Sequence, residues 1–187
     1  LQPMYAIILL DGIMFSVMQD GQATKKTVYV VYGINVNGMK EVLGIWIGEA
    51  ESAKFWMKVL ADLKNRGVQD ILIASVDGLK GFEEAITSIF PKCEVQQCIV
   101  HQVRYSTRFV NYKDRKELCE DMKTIYTSPN EPEGLRALDA FAEKWESKYA
   151  YAVRSWRNNW PRLATFFKYP PEIRRLIYTT NAIENFN

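Results

Sequence analysis

The 187-residue sequence predicts an α/β protein: a mixed five-stranded sheet flanked by helices, with an all-helical insertion before the last helix. Three observations predict it. Residues 5–10 (YAIILL) and 71–76 (ILIASV) are continuous apolar runs of strand length, the mark of strands buried on both faces. Between them, β-branched and aromatic segments flank the turn pair Asn37-Gly38. From about Gln102 the strand signals stop and helical spacing takes over.

The elements follow in order. Residues 5–10 form the first strand. Asp11-Gly12 would serve as a two-residue hairpin turn, but Asp20-Gly21 is the better one, and its use lets one long strand run through Asp11. Residues 26–36 (KTVYVVYGINV) form the second strand, and Asn37-Gly38 turns the chain into an antiparallel third at 42–47. Over 52–66 the period changes: Phe55, Trp56, Val59, Leu60 and Leu63 share one helical face. Ser52 caps that helix, and Gly67 stands where a terminating glycine belongs. Residues 71–76 return to strand. Residues 82–90 form a short helix ended by Pro91, and 94–101 (EVQQCIVH) read as a fifth strand. Helices follow over 113–126, 133–149, 151–160 and 162–168, with prolines at 129, 132, 161, 170 and 171 as punctuation. Thr179-Thr180-Asn181 then caps a last helix carrying Glu184. Antiparallel strands first, then strands alternating with helices, match an RNase H-like core. The chain divides accordingly into 1–101, the first part of the core; 102–178, the helical insertion; and 179–187, the start of the final core helix.

Composition narrows the classes of function. Hydrophobic residues make up 48% and charged residues 25%, as in soluble globular proteins. No apolar stretch approaches the roughly 20 residues of a membrane span, and no segment has the layout of a signal peptide. Three scattered cysteines (93, 98 and 119) argue against a disulfide framework and for a reducing cytoplasm. With His101 as the one histidine, a structural zinc site of four Cys or His ligands is not expected. A start at Leu1 and a stop inside a helix read as a piece of a longer protein. Residues 102–178 hold 15 Lys and Arg against 10 Asp and Glu, and the remainder holds 9 against 12. The basic part suits phosphates and the acidic part suits cations, although both also serve as ordinary solvated surface.

Asp11 and Asp77 each follow directly on a buried strand. If those strands are neighbours, the carboxylates lie side by side at the carboxyl ends, where α/β sheets collect ligands. A third carboxylate on a helix crossing that end would complete an oxygen-rich pocket suited to Mg²⁺ or Mn²⁺. Two such ions, about 3.5–4 Å apart, can serve an in-line phosphoryl displacement. The plain alternatives stand beside this: Asp11-Gly12 as a turn, Asp77-Gly78 as a strand-to-loop junction, and Glu184, three residues after Asn181, as a capping-box glutamate.

The sequence resembles the mutator family of bacterial insertion-sequence transposases. The most specific pieces are VDGLKGF (76–82), CIVHQVR (98–104) and TTNAIENFN (179–187), supported by KEVLGIWIGEAESAKFW (40–56). The resemblance implies a catalytic DDE triad on Asp11, Asp77 and Glu184, binding two Mg²⁺ or Mn²⁺ ions, with a Cys-x-x-His signature on Cys98 and His101. It implies DNA cleavage and strand transfer with no covalent protein–DNA intermediate. Water would be the first nucleophile and a 3′-hydroxyl the second. It also implies double-stranded DNA (transposon ends and target) as partner, a homodimer on DNA, a place with the bacterial nucleoid, a DNA-binding region before Leu1 and more helix after Asn187. Tyr105 stands where the family pattern has Asn, and Gly12 where another small residue is usual.

Other residues carry two readings each. His101 could donate to scissile DNA or a carboxylate, or pack at a strand end. Cys98 suits a buried small position. Trp156 and Trp160, four apart on one helical face, could stack on a base or fill the helical core. Arg104, Arg154, Arg157 and Arg162 are candidate phosphate contacts, with Arg174 and Arg175 similar. Two competing functions are an RNase H-like nuclease that hydrolyses without joining, and a catalytically retired DNA-binding module.

Overall fold

The structure, a computed structural model, describes residues 1–19, 21–48 and 52–178. As predicted, it is a mixed five-stranded sheet with helices. The strands are β1 (Met4–Gln19), β2 (Gln22–Asn35), β3 (Lys40–Gly48), β4 (Asp70–Val76) and β5 (Glu94–Gln97), in the order β3-β2-β1-β4-β5. β2 is antiparallel to both β1 and β3, whereas β4 lies parallel to β1. This is the arrangement of an RNase H-like core. The chain divides into two compact units, Leu1–Val95 and a second beginning at Gln96.

In the first unit, β1 is longer than the apolar run 5–10. It continues through Asp11 and stays paired with β2 to Gln19↔Gln22, so Asp11-Gly12 is not a turn. Gly21, with φ of 79°, supplies the left-handed turn residue that the Asp20-Gly21 reading requires. Helix α1 (Ala53–Asn65) starts where expected: the Ser52 side chain accepts from the Phe55 N–H at 3.2 Å. It ends at Gly67, with φ of 107°. Helix α2 (Phe82–Ile89) packs beside α1, and both cover one face of the sheet. Trp56 anchors that core, with ring centroids 5.0 Å from Tyr29, 4.9 Å from Phe55 and 5.5 Å from Phe82. Each such edge-on pair adds about 0.5–1.5 kcal/mol beyond burial.

The second unit is helical after the last two residues of β5. Its helices are α3 (Ile99–Thr107), α4 (Tyr112–Tyr126), α5 (Glu131–Leu163) and α6 (Pro171–Tyr178), with a 3-10 segment at Ala164–Lys168. Two expectations need correction. The fifth strand stops at Gln97, so Cys98 and His101 lie at the start of α3 and not in a strand. The reason is visible in burial: Ile99, Gln102 and Ser106 point inward at helical spacing, which the short apolar pair Ile99-Val100 had disguised. The predicted helices 133–149 and 151–160 are one element, kinked at Tyr149 (φ −133°, ψ 52°). Pro161 falls in the last turn of α5 and does not end it.

Helix α4 is tied to α5 by polar contacts along one seam. Tyr149 Oη donates to Asp114 at 2.5 Å, and Lys148 pairs with the same carboxylate at 2.5 Å. The Trp145 indole N–H donates to Asp121 at 2.8 Å, and Lys144 bridges Asp121 and Glu117 at 2.7 Å each. The hydrogen bond from Lys148, then that from Tyr149, hold the Asp114 carboxyl below its ordinary 3.8.

Two outcomes follow from these contacts. Gly81 combines a φ of 72° with a position where an added Cβ would meet the Ala53 backbone N at 2.3 Å. Gly81→Ala should therefore cost more than the roughly 1–2 kcal/mol of a left-handed residue alone, whereas Gly38→Ala, left-handed but in open space, should not exceed it; urea denaturation of both variants checks this. Because Asp114 has its carboxyl depressed on folding, it stabilises above its unfolded value, and that contribution is lost as pH falls through the folded one. Asp114→Asn should lower neutral-pH stability and flatten the acid limb below about pH 4, as read by thermal melts across pH.

Candidate active site

Residues of one central strand pair set the geometry. Parallel pairing of β1 with β4 runs from Met4↔Asp70 to Leu9↔Ser75. Two residues further along the same register come Asp11 and Asp77. β4 ends at Val76, and the chain leaves the sheet at Asp77 through Gly78, whose φ is 53°. β1 continues, so Asp11 remains in the ladder opposite Val30 of β2. The two aspartates thus lie at the same, carboxyl end of adjacent parallel strands. Asp11 is half-buried and Asp77 exposed, because the strand beside Asp11 has ended.

Alternation assigns the face. Ile8, Leu10, Ala74 and Val76 belong to the core under α1 and α2; Ile7, Leu9, Ile73 and Ser75 are buried but lie outside that cluster. Asp11, still in the ladder, follows Leu9 in that alternation, on the face turned away from α1 and α2, and Asp77 comes two residues after Ser75, just past the end of β4. The electrostatics agree: Tyr32, opposite Leu9 in β2, has its hydroxyl raised by burial first and by the negative charge of Asp11 second.

The donor set here is oxygen only, which is the chemistry hard divalent cations take. Among the described residues, no group of three or more His, Cys, Asp or Glu is placed to hold a metal ion. Glu184, the expected third carboxylate, lies outside the described residues, as does the whole of 179–187. Sequence reasoning missed Ser75. It is 2% exposed, and its Oγ has no hydrogen-bond partner among the described residues. Such a buried, unsatisfied hydroxyl costs about 1–3 kcal/mol. A small polar residue inside an otherwise apolar strand was the available signal.

In the second unit, His101 is the third residue of α3, half-buried, and Cys98, 4% exposed, is the residue before its first turn. A buried polar cluster holds α3 to α5. The Gln102 amide, 2% exposed, donates to Ser155 at 2.9 Å and to Ser106 at 3.5 Å, and accepts from Asn159 at 3.1 Å and Gln97 at 3.3 Å. Gln96, fully buried, donates to the Leu163 carbonyl at 2.9 Å and accepts from the Phe166 N–H at 2.8 Å. Neither glutamine was singled out from the sequence, where polar residues beside apolar ones carry no periodic signal.

The expected DNA contacts divide. Trp156 is corrected: it is fully buried, with its indole N–H donating to Ser106 at 3.1 Å, so it offers no face to a base. Trp160, four residues on, is half-buried, donates to Glu131 at 3.2 Å and lies 6.1 Å from the Phe167 ring. Arg104, Arg154 and Arg162 are exposed. Arg157 is exposed and paired with Asp139 at 3.0 Å. Arg174 instead serves the fold, donating to the carbonyls of Tyr169, Phe167 and Pro129.

The model of the family "Transposase, Mutator family" matches residues 1–187. A transposase for insertion sequence element ISRM3 of Rhizobium meliloti is 49% identical over 98% of this chain and 46% of its own length. A probable insertion-sequence transposase of Corynebacterium diphtheriae is 42% identical over 100% of this chain and 55% of its own. The IS905 transposase of Lactococcus lactis is 33% identical over 100% and 47%. This chain therefore spans about half the length of the curated relatives it matches. A chain of the solved simian T-cell lymphotropic virus intasome with PP2A regulatory subunit B56 gamma overlaps only loosely, at a TM-score of 0.34 and 12% identity over 83% of this chain and 48% of that one.

Trp156→Ala should destabilise the chain by about 3–5 kcal/mol, the range for a buried aromatic. Trp160→Ala should cost clearly less, since its ring is already partly in water. Denaturation curves of the two variants distinguish core from surface.

Proposed function

The chain belongs to the Mutator family of transposases, and we propose that it carries the metal-dependent active site that cuts and joins DNA during movement of an insertion sequence. The observation that supports this reading is the parallel register of β1 and β4, which brings Asp11 and Asp77 to the same end of neighbouring strands. In this reading both carboxylates hold Mg²⁺ or Mn²⁺, two ions in all, with Glu184 as the third ligand-bearing residue. Bound there, such ions activate the attacking oxygen and stabilise the leaving one.

The rest is done by the chain's own groups. Asp11 sits on a rigid central strand, so its carboxylate is held by the sheet; Asp77 sits at a strand end, where the glycine after it lets the backbone turn away. The reaction exchanges one phosphorus–oxygen bond for another. Water displaces the 3′-oxygen at the transposon end, and the freed 3′-hydroxyl then displaces a 3′-oxygen in the target strand. No covalent link to the protein is needed. Arg104, Arg154, Arg157 and Arg162 would bind the phosphate backbone. The exposed Arg157–Asp139 pair contributes little to stability, so Arg157 would give it up for a phosphate at small cost to the fold. His101, on the first turn of α3, would donate to DNA, with Cys98 packing beneath that turn. The protein acts on transposon ends and target DNA as a homodimer, in the bacterial cytoplasm with the nucleoid. Among the described residues no helix is long and apolar enough to cross a membrane.

Asp77→Asn and Asp11→Asn should each reduce DNA strand cleavage to background while the thermal melt stays cooperative. Cleavage at the wild-type rate in either variant defeats the proposal. A pre-cut transposon end tests the second step: joined product is expected with wild type, and hydrolysis without joining would mark a nuclease that only cuts.

A further inference from the structure

Ser75 is not explained by the fold. It stands in a strand whose other residues after Asp70 are Ile, Leu, Ala and Val, 2% exposed, with an Oγ that no described residue satisfies. Three buried polar side chains of the second unit behave differently. Gln96, Gln102 and Ser106 all spend their hydrogen-bonding capacity on protein partners. A hydroxyl kept in such a place without a bond is a cost to folding that an alanine would avoid.

Its position gives the cost a use. Ser75 is paired with Leu9; Asp11 is the next residue on that face of β1, and Asp77 stands two residues after Ser75, just past the end of β4. The hydroxyl therefore lies behind the carboxylate pair, one step deeper into the sheet. From there it can donate a hydrogen bond to a carboxylate oxygen, or accept one from a water of a hydrated cation. It is too buried to meet DNA directly, and it has no charge with which to bind a cation by itself.

We infer that Ser75 is a positioning residue of the carboxylate site: its hydroxyl hydrogen-bonds the oxygen shell of the divalent cation held by Asp11 and Asp77, and is left unsatisfied until the cation is present. This rests on the proposed role of the two aspartates. Outer-shell partners of metal sites are worth about 10–100-fold in affinity, and that is the effect to look for. The hydroxyl should matter to the loaded site and not to the empty fold.

The test compares wild type, Ser75→Ala and Asp77→Asn as the 187-residue chain. Thermal melts in EDTA report the empty fold, and titration with Mn²⁺, followed by the resonance of the free ion, reports the site. For Ser75→Ala the expected result is a melt at or above wild type in EDTA, with Mn²⁺ binding weakened about 10–100-fold. A melt lowered by several degrees in EDTA would give the hydroxyl a structural partner and overturn the inference. Wild-type Mn²⁺ affinity in Ser75→Ala, with binding lost in Asp77→Asn, would overturn it while leaving the aspartate site intact. Absent binding in wild type, or unchanged binding in Asp77→Asn, would instead bring down the aspartate site itself and the inference with it.

Discussion

The pairing of β1 with β4 is the constraint from which the rest of the first unit follows. Parallel strands cannot be joined by a hairpin, so the chain must leave β1, complete β2 and β3, cross through α1 and re-enter beside β1. That crossover buries the α1 face around Trp56, where α2 joins it after β4, and fixes which ends of β1 and β4 coincide. The unequal lengths of the two strands matter as much as their direction. β4 stops after Val76 and β1 does not, so two acidic residues meet solvent at a step in the sheet. One is fixed within a ladder and the other is at the start of a loop.

The helical unit solves a different problem. It must hold α3, separated from β5 by Cys98 alone, against a long and kinked α5. It does so with amides and hydroxyls in addition to apolar packing. Gln102 satisfies all four of its hydrogen-bonding positions at once, and Gln96 bonds groups at the α5 to 3-10 junction. A buried network of this kind tolerates little displacement, since any shift leaves a polar group unpaired in a low dielectric. The start of α3, with Cys98 and His101, is thereby held in one orientation relative to α5. The kink at Tyr149 belongs to the same design: the Tyr149 hydroxyl is spent on Asp114 and the Asn111 N–H, where α4 begins.

Several readings from the sequence succeeded because they rest on local chemistry. Ser52 as a cap, Gly67 as a terminator, Asn37-Gly38 as a turn and the apolar stripe of α1 are each decided within one or two turns of chain. The readings that failed did so where a short apolar pair fits two periods. Ile99-Val100 extends a strand as well as it opens a helix, and only the inward turn of Gln102 and Ser106, polar residues invisible to hydrophobic periodicity, decides between them. Trp156 failed as a DNA contact for the converse reason. A tryptophan near arginines looks the same in sequence whether it faces a base or the core, and here it faces the core.

By itself the sequence determined the sheet-and-helix class, the turn between the second and third strands, and the residue types available for chemistry, because these follow from periodicity, capping and turn propensity over a few residues. The tertiary structure alone decided that Asp11 and Asp77, far apart along the chain, lie at one end of neighbouring parallel strands. It alone decided that Ser75 is buried opposite Leu9 with a hydroxyl that no described residue satisfies, and that Gln96 and Gln102 anchor the helices. Those are matters of register and burial. Both depend on which distant segments pair, and no local rule in the chain encodes that.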